Sequence, residues 1–400
     1  MPPLMSARVS PEPATARGAA TSAADAPWRV PLSDVVITEE DLAAVMDAYR
    51  SGWLSIGPRT AAFEQAFAEY AGTRYAVAVS SGTAALHLMC LAMGLGPGDE
   101  VIVPSLTFVA TVNAIRYTGA TPVFADIAGE LEPWVSTAAC EALITPRTRA
   151  IMHMPYGGHP GEAAALAALA DRNGLTFLMD AAHAVGARLD GRPVGSLAAT
   201  AAYSFFANKN LAIGEGGMVT TDDEDVAQQL RRLRSHGMTA LSWDQARGHA
   251  FGYDVVALGY NYRLDEPRAA LGLARLSRLD AENASRGVLD ARYRAGLHGL
   301  VGCALAPTEG TQPAHHIFTI VLPPGVDREA FRRRLAERRV QTSVHYPPAH
   351  RMSIHAEQPA DLPVTDEYAR RTVTLPLFAH MTEDQQDAVL SAIADELPQA

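Results

Sequence analysis

A change of rhythm at residue 75 constrains this chain more than any other feature. From there to residue 221, short apolar runs alternate with longer stretches of helical periodicity. The runs are YAVAV (75–79), VIVP (101–104), TPVFADI (121–127), RAIMHM (149–154), LTFLMD (175–180), AAYSFF (201–206) and GGMVTT (216–221). Between them lie patterns such as GTAALHLMCLAMG (82–94) and EAAALAALADRNG (162–174). Runs this short and this apolar suit strands buried on both faces, and the intervening helices supply the cover. The spacing therefore predicts an α/β fold with a mostly parallel sheet. Two helices are expected ahead of it, one over 37–54 with Thr38 as N-cap and one ending at Gly72. Beyond about residue 280 the pattern becomes helices with short strands. It predicts a large domain over 28–278 and a smaller α+β domain over 279–400, with residues 1–27 an Ala/Pro/Ser-rich tail expected to be disordered.

In a sheet of this kind ligands gather beyond the carboxyl ends of the strands. YAVAV runs into Ser80, Ser81, Gly82 and Thr83 at the start of a helix, where free N–H groups and hydroxyls make an anion cup. Plain helix capping explains the same residues. LTFLMD ends in Asp180 with His183 three residues on. A strand-end acid can hold a metal, a ribose or a protonated ring nitrogen, or cap the next helix. Phe108, after VIVP, can stack on a planar cofactor or fill the core. AAYSFF carries Ser204 and leads to Lys209, with Gly214, Gly216 and Gly217 following.

Composition singles out Lys209. The chain has 33 Lys plus Arg, and Lys209 is its single lysine. Arginine replaces lysine wherever a positive charge suffices, but it cannot lose a proton and attack a carbonyl. A lone lysine, a strand-end acid, a hydroxyl-rich cup and an aromatic ring together make a pyridoxal-phosphate (PLP) site. The Walker pattern GxxxxGK[ST] and the dinucleotide fingerprint GxGxxG are both missing.

The remaining features exclude rather than identify. A net charge of −11 argues against a nucleic-acid or anionic-membrane surface. No apolar run reaches transmembrane length. Cys90, Cys140 and Cys303 show no metal spacing, and Cys90 and Cys140 read as core residues, which fits a reducing, cytoplasmic setting. The arginine-rich stretch 332–339 reads as a solvated helix face.

The ordered motifs SGWLSIGPRTAAFEQAFAEYAG, VSSGTAALHL, PSLTFVATVNAI, MDAAHAVGA, YSFFANKN, GEGGMVTTDD, GYNYRLDEPRAALGLARL and VHYPP resemble the DegT/DnrJ/EryC1/StrS aminotransferases over about residues 28–390. These are fold-type-I, aspartate-aminotransferase-like PLP enzymes that aminate keto-sugars and keto-cyclitols. The resemblance implies catalytic roles for Lys209 as Schiff-base lysine and proton carrier, Asp180 as partner of the ring nitrogen, and His183 beside the ring. It implies that Phe108 stacks on the ring, that Gly82, Thr83 and Ser204 hold the phosphate, and that Asn261 reaches the phosphate of a neighbouring subunit in a homodimer. His345 and Tyr346 match a segment at the substrate mouth. Implied reactants are glutamate or glutamine as amino donor and a keto-sugar, nucleotide-linked, or keto-cyclitol as acceptor, with pyridoxamine phosphate as the amino-carrying form of the cofactor. Two positions depart from the pattern. Asn208 stands where Thr is common, and His159 stands where Gln is common, which is expected to change the wall near the substrate. A PLP enzyme of another reaction type, such as elimination or racemisation, and a non-catalytic PLP-binding regulator are the competing readings.

Overall fold

A computed structural model describes residues 28–240, 252–358 and 360–397. The expected disordered tail, 1–27, lies outside the described residues, as do 398–400 of the C-terminal segment. In chain order the large layer holds α1 (Glu39–Arg50), α2 (Pro58–Ala71), β1 (Tyr75–Val79), α3 (Gly82–Ala92), β2 (Glu100–Pro104), α4 (Val109–Tyr117), β3 (Thr121–Ala125), α5 (Thr137–Ala142), β4 (Thr148–His153), α6 (Ala163–Arg172) and β5 (Thr176–Asp180). It continues with β6 (Arg188–Leu189), β7 (Arg192–Pro193), β8 (Thr200–Ser204), β9 (Gly217–Thr221), α7 (Glu224–Leu233) and α8 (Glu266–Leu276). Then follow α9 (Leu279–Gly296), β10 (Gly302–Cys303), β11 (Thr311–Gln312), β12 (Phe318–Val321), α10 (Arg328–Glu337), α11 (Pro363–Arg371), β13 (Thr372–Leu375) and α12 (Glu383–Glu396).

Seven strands form the central sheet in the order β1-β9-β8-β5-β4-β2-β3. β2, β3, β4, β5 and β8 pair in parallel, and β9 runs antiparallel to both β8 and β1. The fold is the expected α/β class, and the short apolar runs are its strands. Their side chains divide by the two-residue period. Ala76, Ala78, Ile102, Met179, Ala201 and Tyr203 pack into one core cluster, whereas Val77, Val79, Val101, Val103, Leu178 and Ala202 pack into another on the opposite face. Cover on both faces is what lets each strand be continuously apolar.

Thr38 caps α1 through a capping box. Its hydroxyl accepts from the Asp41 N–H at 3.2 Å, and its own N–H donates to Asp41 Oδ2 at 3.2 Å. The helix stops at Arg50, four residues short of the expected end, because Gly52 turns the chain at φ 74°. The hairpin β6–β7 is an element beyond the expected ones. Its two-residue turn is Asp190-Gly191, both at positive φ (50° and 76°), a turn chemistry visible in the sequence.

A three-stranded antiparallel sheet, β10-β12-β13, is packed by α9, α10 and α12 around its own apolar cluster. Val30 belongs to that cluster and bridges Val340, so the first described residues are clamped to the C-terminal layer. β11 pairs with β6, which fastens the two layers together. The arginines at the end of α10 are not merely solvated: Arg334 and, at the C-cap, Arg338 reach Glu396 of α12 at 2.8 Å each. Cys90, Cys140 and Cys303 are free thiols, the first two buried. No described helix is long and apolar enough to cross a membrane.

Candidate active site

β5 delivers Asp180 to the carboxyl edge of the sheet, where it is 3% exposed. Its Oδ2 accepts from the Thr111 hydroxyl at 2.6 Å and its Oδ1 from the Ala182 N–H at 3.1 Å. Thr107 lies 2.6 Å from Thr111, completing a hydroxyl chain into the carboxylate. Burial raises the Asp180 pKa, against the pull of Thr111, Ala182 and Lys209. Among the described residues Asp180 makes no ion pair. A buried carboxylate without a cation is costly and calls for one to be supplied.

The neighbouring strand, β8, ends in Ser204, and the loop beyond it carries Lys209. The Lys209 N–H donates to Phe206 O at 2.8 Å, which turns the chain so that the side chain runs inward. Burial of the amine pulls its pKa down to about 8, and Asp180 opposes the shift. The amine lies 3.5 Å from His316 Nε2. Asn210 decides the tautomer of that ring. Both of its amide hydrogens are used, toward Asn283 Oδ1 at 2.8 Å and Ala314 O at 2.7 Å. Its oxygen therefore faces His316 Nδ1, at 2.9 Å, and takes the ring proton. The bare Nε2 is left for Lys209.

Three imidazoles surround the amine, and each is held neutral. Burial, then the charge of Lys209, drives His183 and His316 well below the ordinary histidine range, with Arg286 adding to the shift of His316; burial and then the Lys209 charge pull His345 down to about 4. His183 Nδ1 accepts from the Gly157 N–H at 3.3 Å, so its Nε2–H faces the Tyr346 hydroxyl at 2.9 Å. Tyr346 packs 5.7 Å from Phe108, which stands half out of the surface at the start of α4. His345 is anchored by Thr374 at 2.9 Å, and its carbonyl accepts from Tyr156.

The anion cup is built as a close fit. Ser81 caps α3, accepting from the Ala84 N–H at 3.1 Å. Among the described residues, the Thr83 hydroxyl has no hydrogen-bond partner. Gly82 lies against Ser204: a Cβ there would come within 2.7 Å of the serine Cβ. Gly217 lies against the cap itself, where a Cβ would meet Ser81 O at 2.4 Å. Glycine at both places lets the backbone close around a small anion.

The fold thus gathers Asp180, His183, Ser204, Lys209, Gly82, Thr83, Phe108, His345 and Tyr346 around one edge of the sheet. Asn261 takes no part in these contacts; it is exposed and bridges Ser235 through its backbone. His159 is stacked on Trp134 at 4.5 Å, fully buried, and does not line the cavity beside Lys209. Sequence reasoning missed Thr111, Asn210, Asn283 and His316. Asn210 was adjacent to the key lysine and His316 sat in the pair HHIF ahead of a strand, but neither residue type announces its partner.

These contacts suit PLP. The unpaired Asp180 matches a protonated ring nitrogen, and the cup matches a phosphate. Comparison with known proteins agrees. The family model for the DegT/DnrJ/EryC1/StrS aminotransferase family matches residues 35–394. The spore coat polysaccharide biosynthesis protein SpsC of Bacillus subtilis (strain 168) is 40% identical over 377 residues, which cover 92% of this chain and 96% of the relative. Crystal structures of DesV from S. venezuelae (37% identity, TM-score 0.86, 94% of this chain and 100% of that one) and of the aminotransferase TlmJ from Streptoalloteichus hindustanus (32%, 0.86, 92% and 98%) share its fold.

Proposed function

The chain belongs to the DegT/DnrJ/EryC1/StrS aminotransferase family and is a PLP-dependent aminotransferase, and on that premise we propose that it moves an amino group from glutamate or glutamine to a keto-sugar or keto-cyclitol. The keto-sugar is nucleotide-linked in this reading, and the product serves natural-product or surface-glycan biosynthesis. Two relatives support it: SpsC is a spore coat polysaccharide biosynthesis protein, and PseC from Helicobacter pylori is an aminotransferase involved in the biosynthesis of pseudoaminic acid. The observation that carries the residue assignment is the buried, unpaired carboxylate of Asp180 acting on the depressed amine of Lys209.

Bound PLP supplies an aldehyde that condenses with amines and a ring that accepts electrons from the carbon losing its proton. Gly82, Thr83 and Ser204 would hold the phosphate, Asp180 would keep the ring nitrogen protonated, and Phe108 and His183 would pack against the ring. Lys209 would be the amine that holds PLP through its aldehyde. Its Nζ, whose pKa burial pulls down to about 8 in the cofactor-free protein, would be the group that takes and returns the donor's α-proton. His316 orients that amine through its bare Nε2 and, being neutral, adds no charge that would fix the amine in one protonation state. His345 and Tyr346 shape the mouth toward the acceptor.

The same reading makes the protein a homodimer, with Asn261 reaching the phosphate of a second copy. Its exposed position fits this, as does the apolar stripe Leu42, Met46 and Tyr49 left uncovered on α1. The test is the visible absorbance of PLP-loaded protein, wild type beside Lys209→Arg, before and after glutamate or glutamine. A band that Lys209→Arg lacks and that a donor discharges supports the reading; keto-sugars and keto-cyclitols then restore it. The same band in both proteins overturns the assignment of Lys209. A band that ignores both donors overturns the donor assignment.

A further inference from the structure

Thr107 and Thr111 are both fully buried beside Asp180, so their hydroxyl hydrogens have to be placed on protein acceptors. Among the described residues the Thr107 hydroxyl has one partner, the Thr111 oxygen at 2.6 Å. Thr107 therefore donates and Thr111 accepts. That leaves Thr111 one hydrogen and two acceptors in reach: Asp180 Oδ2 at 2.6 Å, and Phe108 O, three residues back, at 2.9 Å. The two acceptors correspond to the two charge states of the acid. An ionised Asp180 takes the hydrogen, and the shorter distance is that of a hydroxyl on a carboxylate, about 2.5–2.7 Å. A neutral Asp180 carries its own proton on Oδ2 and donates it to Thr111, which turns its hydrogen to Phe108 O. Asp180 Oδ1 accepts from the Ala182 N–H in both states. Neither state leaves a buried hydrogen without an acceptor.

The surroundings pull in both directions. Burial favours the neutral acid, while Lys209, on the loop after β8, favours the ion. Cys90 on α3 and Tyr346 in the chain after α10 also face Asp180, and burial, then the Asp180 charge, keeps both of them neutral. A hydrogen bond donated to the charged form lowers the proton affinity of a carboxyl. Thr111 is therefore the neutral group that tips Asp180 toward the ion, and an ionised carboxylate is what a protonated ring nitrogen needs beside it.

We propose that Thr111 is a positioning residue that keeps the Asp180 carboxylate ionised toward the ring nitrogen of PLP, with Thr107 fixing the direction of its hydrogen. This rests on Asp180 being the partner of that nitrogen. The test is nitrogen NMR of PLP isotope-labelled at the ring nitrogen, bound at saturation to wild type, Thr111→Val, Thr111→Ser, Thr107→Val and Asp180→Asn, beside titration of PLP affinity. Thr111→Val keeps the side-chain shape and loses the hydroxyl, so the proton is drawn from the ring nitrogen to Asp180. The ring resonance is expected to move toward that of unprotonated pyridine, and PLP affinity to fall ~ten-fold. Thr111→Ser keeps the hydroxyl and the wild-type resonance. Thr107→Val, which weakens Thr111 as a donor, falls between them. A wild-type resonance in Thr111→Val overturns the proposal even if its Tm falls, because the hydroxyl then only packs α4 against β5. An equal displacement in Thr111→Ser overturns it as well, since the hydroxyl is then not the cause. If Thr111→Val fails to fold or to load PLP, Thr107→Val decides, and an undisplaced resonance there overturns the proposal. Asp180→Asn keeps the two readings apart. A wild-type resonance in it overturns the Asp180 assignment itself, whereas a displaced one beside an unchanged Thr111→Val overturns this proposal alone.

Discussion

His316 presents an unprotonated Nε2 to the amine of Lys209 at 3.5 Å, and Asn210 is the reason that this nitrogen is bare. The arrangement gives the lysine an acceptor without a second positive charge. A protonated imidazole at the same place would repel the ammonium form and leave the free amine without an acceptor.

Removing the residue that sets the tautomer tests this. Asn210→Ala frees the His316 ring to turn or to swap its proton. The expected result is a fall in kcat of about ten-fold, about 1.4 kcal/mol in the barrier, with PLP still bound. Donor KM changes little, because neither Asn210 nor His316 is assigned to the donor. His316→Phe, which keeps the ring volume, is expected to match it. Steady-state kinetics beside the absorbance of bound PLP make the check; an Asn210→Ala protein with unaltered kcat shows that the tautomer is immaterial.

The depressed Lys209 amine has a stability consequence in the cofactor-free protein. Its pKa falls from the ordinary 10.5 to about 8 on folding, so between those values the unfolded chain binds more protons than the folded one. Stability from this group therefore rises with pH from about 8 to about 10.5, and below 8 the buried charge costs its full amount. Lys209→Met removes the charge. Its Tm should exceed that of wild type below pH 8, on the order of a few degrees, with the gap narrowing as pH climbs to 10. Thermal unfolding of both proteins at pH 7 and pH 10 measures it, and a gap independent of pH contradicts the shift.

Gly217 tests the anion cup. A methyl group there would sit 2.4 Å from the Ser81 carbonyl, which must move with the start of α3. Gly217→Ala is expected to lose roughly 1–3 kcal/mol of stability from overpacking and to bind PLP at least ~ten-fold more weakly. Gly214→Ala is the control: its Cβ meets nothing within 4 Å, so only the φ of +90° is strained and PLP affinity should hold. Chemical denaturation and PLP titration separate the two effects. Equal PLP affinity in Gly217→Ala shows that the cup does not hold the phosphate.

Much of the site was legible because its residues lie at strand ends, and strand ends are readable. Asp180, Ser204 and the Ser81–Thr83 turn each follow an apolar run whose length and composition mark a buried strand. Lys209 stood out for a chemical reason, since it is the single lysine of a chain that otherwise uses arginine and an arginine cannot supply an attacking amine. Thr111 was not legible. It lies on α4, and nothing in VATVNAIRY shows that the third residue of that helix turns its hydroxyl to an acid 69 positions away. Nor does the local pattern around His159 show that its ring stacks on Trp134, 25 residues earlier in the chain.

The sequence by itself determined the α/β class and the runs that become buried strands, and it marked the candidate anion cup and the candidate reacting amine. All of these follow from period, local turn chemistry and residue type, which act over a few residues. Tertiary structure alone decided the environment of that amine. His316 comes from 107 residues away, and Asn283 and Arg286 come from α9, brought in when the C-terminal layer packs against the loop after β8. Proton affinity depends on burial and on charges within a few ångströms, and neither is a property of a short stretch of chain.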